Sequence, residues 1–248
     1  MSVRVWTKGL IVIAAAAGAA AAMADDMSGN AWVYNFGATT DYRFRGISRS
    51  DNDPAMHGKV QYNDASGLFG SVWASTIDLQ PFGDGDASVE IDLTAGYRYE
   101  FSSETVGAAK IVYYWFPDSD STPILDDADY LEFIAGLTHD FGDVSLSGEL
   151  AYSPDFSRGF GDSFAITAGA AAPLMPTWWV FDRGLTASGH LGRQIFDEAS
   201  DYTYWDLGVS AGAGVFTVDV RYVDTSINSC GNVCDAGLVL SASVALGN

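Results

Sequence analysis

Between Val89 and Phe101 the chain alternates without a break. Val89, Ile91, Leu93, Ala95, Tyr97, Tyr99 and Phe101 fall on one side, and Glu90, Asp92, Thr94, Gly96, Arg98 and Glu100 on the other. A period of two is a β-strand with one apolar and one polar face. Soluble strands usually run about five or six residues. A tilted strand that crosses a bilayer needs about 9–11. A stretch this long, with aromatics gathered at one end of its oily face, predicts a barrel wall with lipid outside and water inside.

The pattern recurs. Trp32, Tyr34, Phe36, Ala38, Thr40, Tyr42 and Phe44 share a face of a first strand. Met56, Gly58, Val60 and Tyr62 oppose His57, Lys59, Gln61 and Asn63 in a second. Residues 68–77 make a third whose apolar face is ambiguous, since Leu68, Val72 and Ala74 compete with Phe69, Trp73 and Ile77. Further strands follow the Val89 strand near 106–116, through Leu131–Phe141, Val144–Tyr152 and Phe164–Ala170, and through Leu185–Leu191, Trp205–Ala211, Phe216–Tyr222 and Leu238–Leu246. The reading is an all-β, antiparallel, up-and-down transmembrane barrel of about twelve strands, with ten or fourteen also compatible; single-chain bacterial barrels have even counts.

Connection lengths carry an independent signal. Residues 45–55, 78–88, 117–129, 153–162, 195–201 and 224–237 are long and polar, while 64–67, 102–105, 142–143 and 213–214 are short. Long external loops and short periplasmic turns characterise such barrels. Residues 173–184 break the rule. Pro173 and Pro176 oppose a central strand there. The segment reads as an aromatic turn at the membrane interface, the alternative being a segment tucked into the barrel mouth. Aromatics at strand ends, among them Trp32, Tyr42, Phe44, Tyr99 and Trp115, predict two interfacial girdles.

Residues 1–24 stand apart. Arg4 and Lys8 precede an Ala-rich apolar stretch that ends in Ala22-Met23-Ala24. This is a cleaved secretory signal, and its apolar core is short of the roughly 20 residues of a spanning helix. The mature unit is then 25–248, one barrel in the bacterial outer membrane. The chain has 12 Lys and Arg against 32 Asp and Glu, a formal net charge of −20. Nucleic acid is excluded as a partner, because phosphate binding needs clustered cations. Cys230 and Cys234 read as a disulfide in an exported chain. So short a loop adds little chain-entropy stabilisation, so the bond stiffens one loop tip.

In a barrel the polar face looks into the lumen. The candidate pore-lining residues are Arg43, Arg45, His57, Lys59, Glu90, Asp92, Arg98, Glu132, Glu149, Asp219 and Arg221. Rings of charge bias ion selectivity. Twelve strands lie between filled barrels of about eight and open porins of roughly 16–18, which predicts a narrow or partly plugged bore. Asp126, Asp127 and Asp129 form an acidic loop cluster that reads as solvated and lacks EF-hand spacing. No hydrolase elbow, zinc-protease or phosphate-loop motif occurs. The chain reads as no enzyme and needs no cofactor or metal.

The run Thr40-Asp41-Tyr42-Arg43-Phe44-Arg45-Gly46-Ile47-Ser48, followed by Ser50-Asp51-Asn52-Asp53-Pro54-Ala55, resembles the opening signature of the TorF-type porin family. Gly70–Ser75, Glu90–Tyr97 and the Cys230/Cys234 pair match more weakly. The resemblance implies an outer-membrane barrel of channel function. The expected activity is passive diffusion of small hydrophilic solutes or ions, in contact with outer-membrane lipid. The rival classes are a secreted, soluble β-sandwich binding module and a non-conducting or enzymatic barrel.

Overall fold

The computed structural model describes residues 31–79, 87–117, 119, 128–177 and 179–247. Residues 1–24, expected to be a leader, and Asp126 and Asp127 lie outside them. The strands are β1 (Ala31–Thr39), β2 (Arg43–Phe44), β3 (Ile47–Ser48), β4 (Ala55–Asn63), β5 (Leu68–Thr76), β6 (Val89–Glu100) and β7 (Thr105–Trp115). They continue with β8 (Tyr130–Asp140), β9 (Ser145–Ser153), β10 (Ser163–Met175), β11 (Leu185–Phe196), β12 (Tyr202–Ala213), β13 (Phe216–Thr225) and β14 (Gly237–Gly247). Twelve of them close into one antiparallel barrel, sealed where β1 pairs with both β14 and β4. A single closed sheet replaces the two stacked sheets a sandwich requires, so the sandwich reading falls.

The alternation sorts faces as the sequence predicts. Along β1, Trp32, Tyr34 and Phe36 point outward and are exposed, while Val33, Asn35 and Gly37 are turned inward and half-buried. Outward positions on every barrel strand carry exposed large apolar side chains, from Phe36 through Leu93, Ile166 and Leu207 to Leu240. A water-soluble protein exposes no apolar belt of this extent. The β5 ambiguity resolves through its register. His57 pairs with Ser75, Lys59 with Trp73 and Asn63 with Phe69, so Phe69 and Trp73 face inward and Leu68 and Val72 outward.

The sequence reading needs three corrections. First, β1 ends at Thr39. Residues 40–54 then turn into the barrel, and β2 and β3 pair there as a separate two-stranded hairpin. Tyr42 and Phe44 are therefore buried inside, not set in an interfacial girdle. Second, the lumen is not polar throughout. Tyr42, Phe44, Val112, Tyr114, Phe116, Tyr130, Ile134 and Phe156 form an apolar cluster within the mouth at the long-loop end. Third, Pro173 belongs to β10, opposite Thr186, at a register irregularity before Met175. Beyond it the turn projects at the short-turn end, with Trp179 89% exposed. Two side chains reach back: Arg183 Nη2 donates to Phe216 O (2.6 Å) and Thr217 Oγ1 (2.9 Å), and Asp182 Oδ1 accepts from Gly214 N (3.0 Å).

Several inward positions are glycine because a neighbouring side chain lies flat across them. A Cβ on Gly192 would sit 2.2 Å from the Tyr204 ring, whose hydroxyl meets Thr167 Oγ1 at 2.5 Å. Gly192→Ala should therefore displace Tyr204 and cost about 1–3 kcal/mol of overpacking, read as a lower denaturant midpoint in detergent. An unchanged midpoint would show that the ring yields freely.

A plugged lumen as candidate functional site

The inward hairpin sits on local chemistry first. Phe44 pairs with Ile47, leaving Arg45 and Gly46 as the two turn residues. Both have positive φ, 47° and 88°, the backbone of a type I′ turn. Glycine suits that geometry; arginine does not, at a cost of order 1–2 kcal/mol. Gly46 is also confined, since a Cβ there would meet Thr225 Cγ2 at 2.4 Å. Asp41 ties the hairpin base together. Its carboxylate accepts from Arg43 Nε (2.5 Å) and Ser48 Oγ (2.6 Å), and Ser50 Oγ accepts from Tyr42 N (2.9 Å).

Two arginines clamp the hairpin to the wall. Arg45 Nη1 donates to Glu132 Oε1 and to Gln194 Oε1, each at 2.8 Å, and Nη2 to Glu132 Oε2 at 3.1 Å. This is the bidentate fork that a guanidinium makes with a carboxylate. Tyr114 OH adds a further bond to Glu132. Arg49 Nη1 donates to Glu90 Oε1 at 2.9 Å and Nη2 to Tyr130 OH at 3.0 Å. Both carboxylates are fully buried. Both guanidinium groups also lie against the Phe44 ring, at 4.8 Å for Arg45 and 4.2 Å for Arg49. Burial opposes the two charges, but Glu132 beside Arg45 and Glu90 beside Arg49 outweigh it and raise both arginines above the usual guanidinium range. Both guanidinium groups stay charged at any working pH.

The remaining contacts spread around the mouth. Tyr42 packs on Trp73 of β5 (ring centroids 5.3 Å apart), Gly46 abuts Tyr204 of β12 and Thr225 of β13, and Arg43 Nη1 donates to Asp235 O before β14. The hairpin thus touches opposite sides of the wall and fills the mouth as a plug.

Below the plug the inner face is polar. Lys110 Nζ lies 4.0 Å from Glu149. Arg221 pairs with Asp206 and, at 3.1 Å, with Asp219, and donates to Ser188 Oγ at 2.9 Å. His190 Nδ1 meets both oxygens of Asp206, at 2.9 and 3.0 Å. Opposite charges are thus paired within β13, between β12 and β13 and, over β8, between β7 and β9, rather than segregated.

Of the residues singled out from sequence, His57, Lys59, Glu90, Asp92, Arg98, Glu132, Glu149, Asp219 and Arg221 are turned inward by the strand registers. His57 stacks on Trp73. Arg43 and Arg45 lie on the hairpin, not on the wall. Asp129 is engaged at the rim, accepting from Phe116 N and Tyr113 OH, each at 2.7 Å. Sequence reasoning missed Arg49, Gln194, Tyr114 and Tyr130. The one available signal was the third arginine in the Arg43-Phe44-Arg45-Gly46-Ile47-Ser48-Arg49 run, too dense in cations for a loop of so acidic a chain.

Solved structures share the fold at low identity. The KdgM porin superimposes with a TM-score of 0.54 at 11% identity, over 86% of this chain and 98% of that one. The KdgM porin in complex with disordered oligogalacturonate gives 0.52 at 10% identity, over 88% and 97%. An outer membrane channel from Pseudomonas putida F1 gives 0.50 at 12% identity, over 96% and 97%. These likenesses concern the fold. No curated protein matches by sequence. A family of bacterial proteins of unknown function, Gcw_chp, matches residues 23–239. That match runs from ahead of β1 into β14, and the chain belongs to the Gcw_chp family.

Proposed function

We propose that the protein is an outer-membrane channel for passive diffusion of small hydrophilic solutes or ions, with the first external loop folded in to restrict the bore. The observation that carries this reading is the inverted polarity of the wall: apolar side chains outside, paired charges and hydroxyls inside below the mouth. A closed barrel satisfies every wall hydrogen bond internally, as a hydrocarbon surround demands. The leader, the resemblance to TorF-type porins and the shared fold with outer-membrane channels support it. Catalysis has less support, because Asp206, the partner of His190, is also held by Arg221. Asp126, Asp127 and Asp129 would gather cations at the outer vestibule.

Planar bilayers test the reading. The full-length mature protein should give small, infrequent conductance steps. Replacing residues 41–53 by a short Gly-Ser linker should raise conductance several-fold. If both forms stay silent while folded, the protein is not a channel. Changing Asp126, Asp127 and Asp129 to Asn should weaken cation preference at 10 mM salt and matter little at 1 M, where the Debye length is only about 3 Å. A preference unmoved at low salt would place selectivity deeper in the lumen.

A further inference from the structure

The two sequence features that stand furthest apart, the Arg-rich hairpin and the cysteine pair, meet in the folded barrel. Cys230 and Cys234 are joined, enclosing a 3-10 turn over Gly231–Cys234. Within this external loop Val233 and Cys234 are 0% and 1% exposed, although the segment lies between two strand ends at the water side. β3 of the hairpin lies beside this turn. Polar contacts fix the same junction. Arg43 Nη1 donates to Asp235 O at 2.7 Å, and Thr225 Oγ1 donates to Cys234 O at 3.0 Å. Thr225 is also the side chain against which Gly46, at the hairpin tip, is pressed.

A bond closing so short a loop contributes little to the stability of the whole barrel. Its effect is local: it holds the turn that carries Val233 and presents the Asp235 carbonyl to Arg43. We propose that the Cys230–Cys234 disulfide is a latch on the plug. Oxidised, it keeps the turn seated against the hairpin and the mouth closed. Reduced, the turn loosens, Arg43 loses its carbonyl acceptor, and the hairpin leaves the mouth through the long-loop end. Two external thiols supply two electrons and two protons to the bond and depart as their own disulfide, so the chain gains two cysteine thiols. The external face of a Gram-negative-type barrel is oxidising, which makes the closed state the resting one. This regulation rests on the channel reading above.

The test uses the full-length mature protein in planar bilayers, before and after dithiothreitol, beside Cys230→Ser/Cys234→Ser and the hairpin-replaced form. Dithiothreitol should raise the frequency of open events several-fold in the native protein and leave the double variant unchanged at the raised level. The heat-modifiable gel mobility that marks a folded barrel should be unaltered throughout. Should the double variant fail to assemble, the reduced native protein alone decides. Equal opening before and after reduction, with the hairpin-replaced form conducting more, overturns the latch and leaves the channel standing. Silence in every form, including the hairpin-replaced one, overturns the channel and the latch with it.

Discussion

Arg45→Met should open the mouth more than any other single substitution. The change removes the guanidinium from Glu132 and Gln194 and leaves a carboxylate with no exposed surface uncompensated. Breaking one side of a buried pair costs about 3–5 kcal/mol. That cost falls on the plugged state, because a withdrawn hairpin lets water reach Glu132. The strained backbone at Arg45, φ 47°, adds to the effect, since a positive φ is tolerated there only while the side chain is anchored. Single-channel recording should show open events dominating. Arg45→Met/Glu132→Met, which removes both charges, should recover part of the closed population, because an apolar pair of similar volume fits the Phe44 and Tyr114 surroundings. Open probability unchanged in the single variant would mean that the hairpin does not block the path.

Val218→Arg should be the most damaging wall substitution. Val218 pairs with Ala211 and Ala242 on the outward face and is 41% exposed, the third residue of β13 from the short-turn end. A charge there enters lipid, at a cost that reaches about 2–4 kcal/mol at the midplane and falls toward the rim. The inward control is Ser210→Arg, directly opposite Asp219, where the added cation joins the ion pair that Asp219 already makes with Arg221 and stays in the polar lumen. Thr217, the inward neighbour of Val218, is a poorer control, because Arg183 already occupies its hydroxyl. Folding into lipid vesicles, followed by gel mobility, should fail or slow for Val218→Arg and proceed for Ser210→Arg. Equal losses would contradict the register.

The wall was legible in the sequence because its physics is one-dimensional. Each residue meets either lipid or lumen according to its parity along the strand, so the order Val89, Ile91, Leu93 against Glu90, Asp92, Thr94 fixes both faces with no knowledge of neighbours. The β5 faces were not legible, because Phe69 and Trp73 are as apolar as Leu68 and Val72. Only pairing with β4 distinguishes them, and it turns Trp73 inward to pack on Tyr42. The same holds for Tyr42 and Phe44. Their parity continues that of β1, and nothing local says that the strand stops at Thr39.

The sequence alone therefore determined the barrel, the alternation of long and short connections and the pairing of its two cysteines, and brought the strand number to about twelve, since alternation and turn spacing are properties of adjacent residues; closure of the sheet fixed it at twelve. Only the tertiary structure decided that the first loop turns inward. That choice depends on carboxylates at Glu90 and Glu132, on strands β6 and β8, waiting for Arg49 and Arg45. It depends equally on an apolar mouth built from β7, β8 and the hairpin itself. Those partners lie 41 and 87 residues away in sequence. A buried charge is stable only when its counter-charge is in place, and closure of the sheet is what puts it there.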